Sequence, residues 1–350
     1  LAGLVFIALV AEADGSGLTT ISQGFLVKIR IKIERKHDDS FSYCIPFCLF
    51  SGGISVIWAL VALVVLFALY AFGLYGVAYF CLHPPRIPLF MSLSALGLPQ
   101  ESVVIESTDN LELRGWWLHH DDPKAVFVMA HGYLMNRAEP VPLARRLYEL
   151  GFSCLLFDFR AHGFSDGKKS SIGYVERYDV AAAFEEARRK YPHSKIILWG
   201  SSMGGAASVF AISEEGIRPD GLIMDSVYSR LLEANLGWWK TFAGHHYRWL
   251  RPSWLFCWLI SGMHPHLVDV GVALAKTEKI PILMMYGDLD MIAPVEEAQR
   301  NHSARPDAQL VWFEGCQHSQ PRWIQTEKYD RHLEAFVDEV LADTEIVSRV

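Results

Sequence analysis

A chain of 350 residues can hold one large α/β domain and an appendage, and it can bury its core without disulfide or metal staples. A formal net charge of -7, with no basic stripe, argues against a nucleic-acid partner. The 51% hydrophobic content is high for a soluble enzyme and points to a membrane segment.

The first residue is Leu1 rather than methionine, so a fragment or a misplaced start is expected. Leu1 to Ala11 is apolar but has no basic region before it, which weakens a signal-peptide reading. From Phe25 to Glu34 apolar and charged residues alternate, as in a strand or in a basic juxtamembrane stretch, and both readings stay open. Between Asp39 and Arg86 there is no Asp, Glu, Lys or Arg, and Ile54 to Leu82 is almost wholly apolar. That run exceeds the ~20 residues a helix needs to cross a bilayer, so one transmembrane helix is expected over 54–82 after an N-terminal segment, 1–53, of uncertain status. Tyr75, Tyr79 and Phe80 suit an interfacial belt, and Pro84-Pro85 ends the helix. Lys28, Arg30, Lys32, Arg35 and Lys36 precede the span while Arg86 alone follows closely, which sets the N-terminus in the cytoplasm and the following domain outside it.

A proline-containing connector, 83–100, leads to two alternating strands, Ser102–Ser107 and Leu111–Leu118, around the turn Thr108-Asp109-Asn110. Ala125–Ala130 reads as a buried strand ending in His131-Gly132, Arg145–Leu150 as part of a helix closed by Gly151, and Phe152–Phe159 as the next strand. Tyr174, Tyr178, Ala181 and Phe184 share one helical face. Strands follow at Lys195–Trp199, Leu222–Met224, Pro281–Tyr286 and Gln309–Phe313, with a final amphipathic helix from about Glu327 to Leu341. Strands alternating with helices imply a mostly parallel sheet covered on both faces.

The stretch Gly200-Ser201-Ser202-Met203-Gly204-Gly205 lies between one of these strands and the helical run Ala206–Ala211. Strand, tight turn and helix make G-x-S-x-G a nucleophile elbow, with Ser202 at its apex and Gly200 and Gly204 where any Cβ would collide. The amide of Met203 then faces an oxygen on the carbon under attack. A serine hydroxyl needs a base, and the base needs an acid to orient it. His318, after the last strand, is the base; His302 and His332 lie off that rim. Asp290 is the acid preferred over Asp288 and Asp225, because it stands further into its loop; Asp288 is assigned to bonding the turn's own backbone. A second oxyanion donor is expected at the amide of Tyr133, with Gly132 permitting close backbone approach.

Ala130-His131-Gly132, Asp158 to Gly167, the Gly200–Gly205 elbow, Gly287 to Pro294 and Gly315 to His318 together resemble the α/β-hydrolase superfamily. With the N-terminal span, the chain resembles membrane-anchored serine hydrolases of the lysophospholipase and acylhydrolase type. The resemblance runs from about Leu98 to the C-terminus and implies an α/β-hydrolase domain over 101–345 with the triad Ser202, Asp290 and His318 and oxyanion amides from Tyr133 and Met203. Ala161 departs from the glycine usual in its loop. The Trp-rich stretch 230–267, with Trp238, Trp239, Trp249, Trp254 and Trp258, falls where the superfamily often inserts a cap, to line an acyl pocket, rest on a bilayer or pack on the core.

His245-His246 and His264-Pro265-His266 lack acidic or cysteine partners at ligand spacing, so no metal and no cofactor is expected. The six cysteines, Cys44, Cys48, Cys81, Cys154, Cys257 and Cys316, show no C-x-x-C pair and read as small buried hydrophobes. The expected activity is cleavage of acyl esters or thioesters, with a small-molecule or lipid substrate. A peptidase of the same fold and a non-catalytic membrane scaffold are the alternatives.

Overall fold

The computed structural model describes residues 7–10, 25–33, 42–49 and 54–347. The chain divides into two compact units, Leu1–Gly73 and Leu74–Val350. In the first, β1 (Ile7–Val10), β2 (Phe25–Ile33) and β3 (Ser42–Leu49) form an antiparallel sheet in that order, so the alternation over Phe25–Ile33 belongs to a strand, and Glu34 lies outside the described residues. Helix α1 (Ile54–Leu82) has the bounds expected of the apolar run; it is long and apolar enough to cross a membrane, and its most apolar stretch is exposed.

The second unit is built on an eight-stranded sheet. In chain order come β4 (Glu101–Glu106), β5 (Glu112–Leu118), β6 (Val126–Ala130), α2 (Val141–Glu149), β7 (Ser153–Phe157), α3 (Arg177–Lys190), β8 (Ile196–Ser201), α4 (Met203–Glu214) and β9 (Gly221–Asp225). Then follow α5 (Leu231–Ala243), α6 (Tyr247–Leu250), α7 (Ser253–Ser261), α8 (Val270–Leu274), β10 (Ile282–Gly287), α9 (Val295–Ala304), β11 (Gln309–Phe313), α10 (Pro321–Ile324) and α11 (Thr326–Val347). The strand order is β11-β10-β9-β8-β6-β7-β5-β4. Pairs from β11 to β7 are parallel; β5 joins β7, and β4 joins β5, antiparallel.

Alternation along the strands sorts the core into two layers, as a sheet buried on both faces requires. Val126, Val128 and Ala130 of β6 and Ile196 and Leu198 of β8 pack with α3, α4 and α8 on one face. Phe127, Met129, Ile197 and Trp199 point the other way, against α2 and α11. Tyr174 precedes α3 rather than riding on it, and Arg177 stacks over both Tyr174 and Tyr178 at 4.2 Å.

Residues 83–100 lie along the second unit. Leu93 is wholly buried in the core layer beside α2, and the Arg86 guanidinium donates to the carbonyls of Gly163 (2.8 Å) and Gly167 (2.9 Å).

Candidate active site

Three loops at the carboxyl ends of β8, β10 and β11 make one rim, because parallel strands deliver all their C-terminal ends to the same edge. Between β8 and α4 the chain turns at Ser202, whose φ of 49° and ψ of -110° place a non-glycine residue in a sparsely populated region. The turn is tight enough to be sterically closed around its glycines. A Cβ on Gly200 would come to 2.4 Å of Gly205 Cα, and one on Gly204 to 2.2 Å of the Ala130 carbonyl. Met203 is the first residue of α4, so its amide is one of the helix's donors without an intrahelical acceptor.

Ser202 Oγ lies 2.9 Å from His318 Nε2, and His318 Nδ1 lies 2.7 Å from Asp290 Oδ2. A carboxylate only accepts, so Nδ1 carries the proton and donates to Asp290; Nε2 is left to accept from the Ser202 hydroxyl. The Asp290 carboxylate is held in turn, since its Oδ1 accepts the amides of Ile292 and Ala293, each at 2.8 Å. Asp288 does not bond within its own turn, as expected from sequence, but reaches across to the amide of Gly315 at 2.7 Å. Leu289 N–H adds a bond to the Cys316 carbonyl at 3.0 Å. The loops carrying Asp290 and His318 are therefore tied to each other.

Asp225, the other candidate acid, sits at the end of β9 in a different network. Arg322 pairs with Asp225 (2.7 Å) and with Glu139; Tyr329 OH also donates to Asp225 (3.1 Å). Glu139 accepts the Gly132 amide at 2.6 Å and the Ser201 hydroxyl at 3.1 Å. This buried set braces both the elbow and the loop after β6. Sequence reasoning missed Glu139 and Arg322, which carry no motif of their own; only a fold that closes 183 residues of separation brings them together.

The loop after β6 begins at His131, wholly buried. Its Nε2 accepts the Phe159 amide at 3.0 Å and its Nδ1–H donates to the Gly132 carbonyl at 2.7 Å. Burial away from water, with His162 beside it, holds its pKa well below the ordinary histidine value; burial lowers that of His162 in the same way. Tyr133 follows, with its hydroxyl donating to the Cys81 carbonyl at 2.9 Å and its ring edge-on to Trp238. A Cβ on Gly132 would find its nearest neighbour at 3.6 Å, so the protein walls alone do not demand glycine there.

Ser202 and His318 open into a cavity of about 430 Å³ whose walls include Tyr133, Ile172, Tyr228, Leu231 and Trp238. The Trp-rich stretch supplies α5, α6 and α7: Trp238 lines this cavity, Trp254 lines a smaller neighbouring one, and Trp249 is largely exposed. Non-glycine residues with left-handed backbone gather here, with Ile172, Ser226 and Ser319 joining Ser202, and Ala161 (φ 62°) adopts the conformation its usual glycine would favour. Among the described residues, no group of three or more His, Cys, Asp or Glu side chains is arranged to hold a metal.

The family model described as serine aminopeptidase, S33, matches residues 121–271. YfhR of Escherichia coli O157:H7 is 26% identical over 231 residues, covering 62% of this chain and 73% of YfhR, and YqkD of Bacillus subtilis is 24% identical over 71% of this chain and 82% of YqkD. Among solved structures, the Pyrococcus furiosus esterase Pf2001 superposes with a TM-score of 0.64 at 27% identity, covering 74% of this chain and 98% of the esterase. Sheet order, elbow and these likenesses together show the α/β-hydrolase fold, with residues 121–271 similar to the family described as serine aminopeptidase, S33.

Proposed function

We propose that this α/β-hydrolase is a membrane-anchored serine hydrolase that cleaves carboxylic esters or thioesters of acyl substrates. The observation that carries the reading is the unbroken line from Asp290 through His318 to Ser202, with the serine facing an apolar cavity. Ser202 passes its proton to His318 Nε2 and attacks the acyl carbon, and Asp290 stabilises the imidazolium that results. The amides of Met203 and Tyr133 take the charge on the carbonyl oxygen, a contribution of ~2.7 to 4 kcal/mol per donor in enzymes of this kind. His318 returns the proton to the leaving alcohol or thiol. Water, deprotonated by the same imidazole, then releases the acid from Ser202.

In this reading the helix over 54–82 carries the span, 83–100 is the connector and 101–345 the catalytic domain, with its cap at about 230–267 on the non-cytoplasmic side. The family description favours a peptidase as the second reading. An aminopeptidase must hold a substrate ammonium, and among the described residues Glu139 is the carboxylate in the cavity wall. It is already paired with Arg322 and bonded to Gly132 and Ser201, which leaves little for a substrate. The ester reading is therefore preferred. Assaying p-nitrophenyl esters beside aminoacyl nitroanilides decides between them: ester turnover that Ser202→Ala abolishes is expected, and anilide turnover without ester turnover overturns the proposal.

A further inference from the structure

The last two turns of α1 are apolar on every side, yet they are not exposed on every side. Leu74, Ala78, Cys81 and Leu82 are buried, a spacing that marks one helical face. The Tyr75 ring meets Phe256 of α7 edge-on at 6.3 Å. The helix end also has its carbonyls taken by the catalytic rim. Tyr133 OH donates to Cys81 O at 2.9 Å, and Ser170 N–H to Leu82 O at 2.8 Å. Those acceptors have no partner within the helix, so the first bond fixes its terminus to the loop that carries a proposed oxyanion amide and the second fixes it to the segment before α3.

Two cavities meet at that terminus. Cys81 lines the main one together with Ser202 and His318. A second, of about 40 Å³, lies between Cys81 and Leu82 of α1, Leu231 and Leu232 of α5, and Trp254 and Cys257 of α7. Cys81, Ile172, Leu231 and Asn235 belong to both linings, so the spaces share a wall, and among the described residues no charged side chain lines the second. Its volume is close to the ~30 Å³ share of one water, enough for the end of a thin chain and too little for a ring.

We infer that the last turn of α1 forms part of the substrate site, and that the acyl chain runs from Ser202 past Cys81 into the space between α1, α5 and α7. This rests on the proposed serine chemistry and adds a substrate class, esters of extended unbranched acyl chains. Short acyl groups fill only the main cavity. Longer ones gain about fourfold in binding for each further methylene removed from water. The helix expected to anchor the chain therefore also measures the acyl group.

The full chain in detergent, carrying Cys257→Leu, tests this by filling the second cavity from α7. The loss in kcat/KM on p-nitrophenyl esters is expected to grow with chain length, from under twofold at acetate to about four- to sixteenfold at decanoate, the worth of the one to two methylenes the second cavity can hold. A loss equal at all lengths, or none, overturns the inference. A second arm needs neither turnover nor that substitution. The Ser202→Ala chain is photolysed with dodecanoate carrying a terminal diazirine, and adducts are expected on 74–82, 231–235 or 253–263. Adducts confined to other segments contradict the tunnel, whereas wild-type chain that hydrolyses no ester yet gives the expected adducts would fault the serine chemistry alone.

Discussion

The Tyr133 hydroxyl donates a 2.9 Å hydrogen bond to the carbonyl of Cys81, joining the loop after β6 to the end of the long apolar helix. Tyr133→Phe keeps the backbone amide and deletes this bond. A typical hydrogen bond contributes about 0.5–1.5 kcal/mol net, and its loss leaves a helix-end carbonyl without that partner. The variant is expected to unfold about 2–4 °C lower by thermal melt. Ester turnover should fall less than tenfold, because the donor proposed for the oxyanion is the amide. A loss as deep as that of Ser202→Ala would assign the hydroxyl itself to the reaction.

Glu139 serves two loops at once, accepting from Gly132 and Ser201 while pairing with Arg322. Removing one member of a buried ion pair costs about 3–5 kcal/mol. Arg322 keeps Asp225 when Glu139 becomes alanine, so the lower end, about 3 kcal/mol, is expected from urea denaturation. A change below 1 kcal/mol would mean that the pair carries little of the fold.

Gly204 and Gly132 look alike in sequence and differ in surroundings. A methyl at 204 would lie 2.2 Å from a backbone carbonyl that cannot turn aside, whereas at 132 it would sit at ordinary contact distance. Gly204→Ala is expected to lose about 3 kcal/mol or more, the upper range for overpacking, and Gly132→Ala to fold near wild-type stability. Equal denaturation midpoints for the two would contradict the steric account of the elbow.

His131 and His162 are buried with pKa values held below the usual 6.5, chiefly by desolvation. Below pH 6.5 the unfolded chain takes up protons that the folded chain refuses, so stability falls as pH drops and is fully present above 6.5. Each histidine contributes a slope of up to about 1.4 kcal/mol per pH unit. Asp179 acts in the opposite sense: burial raises its carboxyl to about 6, so its contribution falls as pH rises from about 4 to about 6. Comparing wild type with His162→Gln cancels the aspartate. The variant's stability should depend less steeply on pH between 5 and 6.5, and an unchanged slope would contradict the assignment.

What the sequence makes legible follows from how local each signal is. The elbow rests on glycines within five residues, and the strands on short apolar runs, so β6, β8, β10 and β11 fall within two residues of their expected bounds. Ser202, Asp290 and His318 are brought together because consecutive parallel strands place their following loops on one rim. The Glu139–Arg322–Asp225 network depends on long-range closure and has no local pattern. The docking of Leu74, Ala78, Cys81 and Leu82 is hidden for another reason: a helix apolar on all sides gives no sign of which face is covered.

The proposed role of Ser202 as nucleophile is read out by a fluorophosphonate, with intact and peptide mass spectrometry of the full chain. One covalent adduct per chain is expected, on Ser202, with parallel loss of ester hydrolysis and no adduct on the Ser202→Ala chain. An unlabelled wild-type chain, or a Ser202→Ala chain that still hydrolyses esters at the wild-type rate, would contradict it.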